Sequence, residues 1–208
     1  MDSKELKRIQ DDLTRYDQAR EKVLELSRLV TRLCGWSIIQ THRAELDKAE
    51  STLLEAKKSL KQVNDSVTKY PELKDSGSVR VAEQEYTEAL GLYDLVKTNK
   101  MPSLKKTGVE SSCYLLGLLD LIGEFRRLTL NHLRAGRGTE AEKTLALMES
   151  LYEDLLSLDH TAIIPTFRNK ADNARRIVES TRGDVVTEIR RLSLERAIRS
   201  LDDKLQRQ

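Results

Sequence analysis

The sequence is poor in what builds β structure and in what interrupts helices. Aromatic residues make up only 4% of the 208 residues, and three prolines and nine glycines punctuate the whole chain. A β-sandwich or barrel requires many turn signals and far more Val, Thr and aromatic residues, so those folds are excluded. Two cysteines, Cys34 and Cys113, cannot make a disulfide framework, and neither belongs to a CxxC pair. They are expected to be buried free thiols in a reducing compartment. No apolar segment follows the charged start Met1-Asp2-Ser3-Lys4-Glu5, so no signal peptide is expected. No run approaches the ~20 apolar residues that span a bilayer, and a soluble, cytoplasmic protein is expected. Charge of one sign is scarce as well. The 36 Lys and Arg against 34 Asp and Glu leave +2, which argues against a polybasic binder acting through net charge alone.

What is abundant is charge of both signs, 34% of residues, interleaved with leucine at helical spacing. That pattern excludes a disordered chain and predicts an all-α protein of six to seven helices in a bundle, treated as one domain over residues 1–208. Asp2 or Ser3 can cap a first helix, with Glu5 as the reciprocal carboxylate. Leu6, Ile9, Leu13, Tyr16, Val23, Leu26, Val30 and Leu33 then form its apolar face to about Thr41, with a soft spot at Gly35-Trp36. A second helix covers roughly 44–68, and Tyr70-Pro71 with Lys74-Asp75-Ser76-Gly77 marks a break. A third covers about 79–98, and 103–108 reads as a connector. The fourth, about 109–134, is the most apolar and stops at Gly136-Arg137-Gly138. A fifth covers about 139–158, and a sixth follows Ile163-Ile164-Pro165, with a pause expected at Gly183 before it resumes to Leu205.

Chemistry concentrates on the fourth helix. Leu115, Leu116, Leu118, Leu119, Leu121, Ile122 and Phe125 surround it, so Asp120 is expected in an apolar setting, where an ionised carboxylate needs a partner. Gly117, Asp120, Glu124 and Arg127 recur at three- and four-residue steps and share one face. Gly117 and Gly123 leave room for a backbone or ligand to approach. The plainer reading is a buried ion pair of Glu124 with Arg127, Asp120 facing a polar groove. The functional one is a carboxylate pair holding Mg²⁺ or Mn²⁺, hard cations that take oxygen ligands. On the third helix Glu85 and Glu88 form a second pair one turn apart. Alone it is an ordinary solvated face; jointly, two pairs could hold cations and activate water against a phosphodiester. His42, His132 and His160 show no ligand spacing, and no phosphate-cradling glycine loop or Ser-His-Asp arrangement is present. Lys57-Lys58 and Arg190-Arg191 read as solvated helix faces.

The two acidic segments resemble the translin/Trax family. Gln84-Glu85-Tyr86-x-Glu88-Ala89, followed by Lys97-Thr98, is similar to one Trax helix. Tyr114-Leu-Leu-Gly117-x-x-Asp120-Leu-x-Gly123-Glu124-x-x-Arg127-x-x-x-Asn131, then Gly136, resembles the family's most distinctive stretch. Weaker similarity reaches Ala19-Arg20-Glu21 and residues 172–179. The resemblance implies seven helices assembling into hollow octamers around RNA. It implies a metal-dependent endoribonuclease on single-stranded RNA in the Trax branch, and a binding scaffold for RNA or single-stranded DNA in the translin branch. By position, Glu85, Glu88, Asp120 and Glu124 correspond to the Trax carboxylates, which favours the catalytic branch with Mg²⁺ or Mn²⁺ as cofactor. Arg127, Asn131 and Lys97 correspond to accessory or RNA-contacting positions. The chain lacks the basic N-terminal extension of Trax, and Lys48-Ala49-Glu50 dilutes the basic segment that translin carries on its second helix. The archaeal Trax-like endoribonucleases, with identical subunits, are the branch it resembles most.

Overall fold

A computed structural model describes residues 2–74 and 76–206. Met1, Asp75, Arg207 and Gln208 lie outside the described residues, and with them part of the charged start and of the expected break near Lys74. The helical spacing becomes seven α-helices, with no strand among the described residues. They are α1 (Ser3–His42), α2 (Leu46–Lys69), α3 (Gly77–Thr98), α4 (Leu104–Thr107), α5 (Ser111–Arg134), α6 (Gly138–Leu156) and α7 (Phe167–Leu205). Short 3₁₀ turns at Pro71–Leu73 and Thr161–Ile163 complete the chain's regular structure. Two compact units are formed, Met1–Leu118 and Leu119–Gln208, and α5 runs through the division.

In the first unit α1 and α2 pack along seams stepped by threes and fours. Val23, Ser27, Val30, Cys34, Ser37, Ile38 and Thr41 are buried on α1; Ala49, Leu53, Ala56, Leu60 and Val63 are buried on α2. This near-3.5 period keeps one face toward its partner along a helix, and the small residues let the backbones close in. The buried Ser37 hydroxyl donates across the seam to the Ala49 carbonyl at 3.2 Å. Where the hairpin ends, Val23, Val63, Leu73 and Val79 form a small core, flanked by an edge-to-face pair of Tyr16 and Tyr70 with centroids 5.8 Å apart.

In the second unit Phe167, Ala171, Ala174, Val178, Thr181 and Val185 give α7 an unbroken buried stripe. The α6 side contributes Gly138, Ala141, Thr144, Leu145 and Met148. At Gly138 an added Cβ would stand 2.7 Å from the Ile189 Cδ1, the end of a flexible side chain that can shift aside.

Several expectations are corrected. Asp2 alone caps α1, its carboxylate accepting from the Lys4 N–H at 3.0 Å, while Ser3 is already helical. Helix α1 passes through Gly35-Trp36 and α7 through Gly183 without a break. The expected connector at 103–108 contains the single-turn α4, capped by Ser103 and closed by Gly108 at φ +69°. Leu6, Ile9 and Leu13 are exposed rather than core: helical spacing marks an apolar face but not what covers it.

Candidate carboxylate site

The two acidic pairs are placed by different units. In the first unit, α3 presents Glu85 and Glu88 one turn apart, both half-buried. Their neighbour on α1 is Cys34, which is fully buried. Burial pushes that thiol far up from its ordinary range, and the nearby charges of Glu85 and then Glu88 add to the effect. The position of this helical turn is fixed by Gly117 on α5. A Cβ there would stand 2.6 Å from the Gln84 carbonyl and 2.8 Å from the Thr87 Cβ, so the close approach of α5 to α3 requires glycine. Thr87 in turn is held by its own hydroxyl, which donates to the Glu83 carbonyl at 3.0 Å.

In the second unit, α5 carries Asp120 and Glu124. The expected deep burial of Asp120 is not found: its side chain keeps 34% of its exposure, and that of Glu124 keeps 19%. Burial still holds the Asp120 carboxyl above its ordinary range, opposed by Lys170 on α7, whose ammonium both hydrogen-bonds and pairs with its Oδ2. Glu124 meets the Arg127 guanidinium at 3.6 Å, an ion pair without a hydrogen bond. The expected Glu124–Arg127 pair is therefore present and half-buried, and the polar group that Asp120 faces is Lys170. Gly123, beside both acids, would have nothing within 4 Å of an added Cβ.

The accessory positions differ in setting. Asn131 is half-buried and Arg127 exposed. Lys97 is engaged on the first unit's surface, donating to Glu50 at 2.7 Å and to the Tyr93 hydroxyl at 2.6 Å. His42 and His132 are half-buried and His160 is exposed, in line with a boundary role. Cys34 and Cys113 are both buried free thiols, as expected.

Lys170 is the functional neighbour that sequence reasoning did not single out. It stands 50 positions from Asp120, beyond any helical period, and nothing in Arg168-Asn-Lys-Ala-Asp172 marks it. A second missed feature is Glu83, buried at 8% exposure. Burial raises its carboxyl above the ordinary range, opposed by the nearby Cys113 thiol and Glu110 backbone N–H.

Carboxylates at one-turn spacing suit a hard divalent cation by donor type. As the side chains stand, Asp120 and Glu124 face protein cations. Among the described residues no three His, Cys, Asp or Glu side chains are gathered so that they could hold a metal ion. The donor chemistry of each carboxylate pair fits a cation.

With this geometry in view, residues 18–181 match the sequence model of the Translin family. The chain belongs to the Translin family. An uncharacterised protein of Methanocaldococcus jannaschii is 37% identical over 184 residues, covering 88% of this chain and 82% of that one. Among solved structures, apo-NeC3PO superposes with a TM-score of 0.80 at 26% identity, covering 88% of this chain and 96% of that one. AfC3PO gives 0.77 at 28% identity with the same coverages. A complex of AfC3PO with duplex RNA gives 0.75 at 26%, again over 88% and 96%. The all-α, seven-helix architecture is thus that of C3PO-type translin structures. No helix among the described residues of this Translin-family chain is long and apolar enough to cross a membrane.

Proposed function

We propose that this Translin-family protein is a metal-dependent endoribonuclease acting on single-stranded RNA. The observation that carries the proposal is the half-buried Asp120–Glu124 turn, whose carboxylates lie beside open space at Gly123 in a family with an RNA-bound member. Glu85 and Glu88 on α3 and Asp120 and Glu124 on α5 are the proposed ligands of Mg²⁺ or Mn²⁺. When bound, such a cation supplies water of lowered pKa and charge for the developing phosphorane oxygens. The protein's part is to hold these carboxylates on rigid helices, with one of them receiving the proton of the attacking water. Arg127 and Asn131, one and two turns beyond Glu124, are proposed to contact the RNA backbone, and Lys97 to contact it from the first unit.

The protein is further proposed to act as a homo-oligomer, an octamer by family resemblance, in the cytoplasm. Its support is apolar surface at both chain ends: Leu6, Ile9 and Leu13 on α1, and Leu194, Ile198, Leu201 and Leu205 on α7 are between 45% and 68% exposed.

The test is cleavage of a single-stranded RNA, with a duplex in parallel, in Mn²⁺ and in chelator. Metal-dependent cleavage of the single strand that Asp120→Ala or Glu124→Ala abolishes is expected; undiminished cleavage by both variants removes the site assignment. A second reading, a non-catalytic scaffold for RNA or single-stranded DNA, is favoured by the cationic partners that already engage Asp120 and Glu124. It predicts salt-sensitive binding without cleavage in any metal.

A further inference from the structure

We propose that Lys170 is the resident counter-ion of the Asp120 carboxylate and sets the site's affinity for a divalent cation, which must displace its ammonium to bind. The inference rests on the reading that Asp120 is a metal ligand. It starts from one contact: the Lys170 Nζ donates to Asp120 Oδ2, joining α7 to α5 within the second unit.

The two charges are neither sealed nor free. The side chains of Lys170 and Asp120 keep 27% and 34% of their exposure, so an ion from solvent can reach the pair. The lysine backbone is fixed, because its neighbours Phe167, Ala171 and Ala174 belong to the buried stripe of α7. Its four-carbon stem is nevertheless flexible, and an ammonium is a compact point charge that can swing away. Helix α7 therefore delivers the charge to Asp120.

A divalent cation sits about 2.0–2.1 Å from a carboxylate oxygen if it is Mg²⁺. An ammonium hydrogen-bonded to that same oxygen would stand within a few ångströms of the metal, with like charge and little intervening water. The two cations are competitors for one carboxylate. Lys170 thereby weakens metal binding at Asp120 by the coupling that two mutually exclusive ligands share.

The probe is Mn²⁺ alone, titrated into the full-length chain at fixed monovalent salt, with free Mn²⁺ read by electron paramagnetic resonance. Lys170→Met is expected to tighten Mn²⁺ binding about tenfold or more, within the range of ordinary coupling between sites. Lys170→Arg, which keeps the charge, is expected to stay within about twofold of wild type. Adding Asp120→Asn to Lys170→Met is expected to abolish the gain. Lys170→Gln repeats the measurement if the Met variant melts early by circular dichroism. Unchanged or weaker binding in folded Lys170→Met or Lys170→Gln overturns the proposal, as does an equal gain in Lys170→Arg. If neither wild type nor the neutral variants bind Mn²⁺, the metal reading falls and takes this inference with it. A gain in Mn²⁺ affinity without RNA cleavage would uphold Lys170 as counter-ion while refuting the nuclease.

Discussion

Gly117 and Gly123 lie six residues apart on α5 yet do opposite things. An added methyl at Gly117 would collide with the Gln84 carbonyl at 2.6 Å, a backbone atom that cannot rotate aside. Gly117→Ala should therefore destabilise the protein by about 1–3 kcal/mol, the usual cost of overpacking. At Gly123 nothing stands within 4 Å, so Gly123→Ala should stabilise by about 0.5–1 kcal/mol through helix propensity. Urea denaturation of both variants checks the pair, and equal losses would contradict the packing. Glu83 gives a second residue-scale test. Burial raises its folded carboxyl above the unfolded value, so the folded chain binds the extra proton. Its contribution to stability is accordingly greatest at acid pH and declines as pH rises from the ordinary carboxylate range through the raised value. Glu83→Gln should flatten that decline in thermal melts followed from acid to neutral pH. The acids at 85, 88, 120 and 124 were legible in the sequence because one-turn spacing is a local property. Lys170 and the Glu83–Cys113 contact were not, because they join helices distant in sequence and carry no periodic signal.

Among the elements, the long helices show what outweighs a single breaker. Gly35 and Gly183 each cost about 1 kcal/mol relative to alanine in a helix interior, too little to interrupt seams as long as those of α1 and α7. The start of α7 carries a different cost. Thr166 adopts φ +67° with no side-chain capping bond, a left-handed conformation that a β-branched residue tolerates poorly. Thr166→Gly should relieve this and stabilise by about 1 kcal/mol, read as a rise in melting temperature; a fall would show that the threonine side chain supports the turn. The single-turn α4 was hidden in the sequence, since four residues show no period. Its caps, Ser103 and Gly108, were the only local signal. Element order and type were otherwise readable, because leucine and small residues recur at helical steps along nearly the whole chain.

For the whole molecule, the near-zero net charge of +2 first counts against a nucleic-acid partner. The structure changes what that sum means: Glu85, Glu88, Asp120 and Glu124 are half-buried, so net charge understates how basic the exposed surface is. The apolar ends of α1 and α7 carry the expectation of self-association, which no period within one chain could reveal. Light scattering should give a mass several times 23.8 kDa, and Leu194→Glu with Leu201→Glu should reduce it. The central claim concerns the chemistry at Asp120, and Asp120→Asn tests it most directly because shape is kept while the ligand charge is removed. Single-turnover cleavage of a single-stranded RNA in Mn²⁺ should fall about 10²-fold or more in this variant, with RNA binding retained. Cleavage by Asp120→Asn at the wild-type rate would contradict the account.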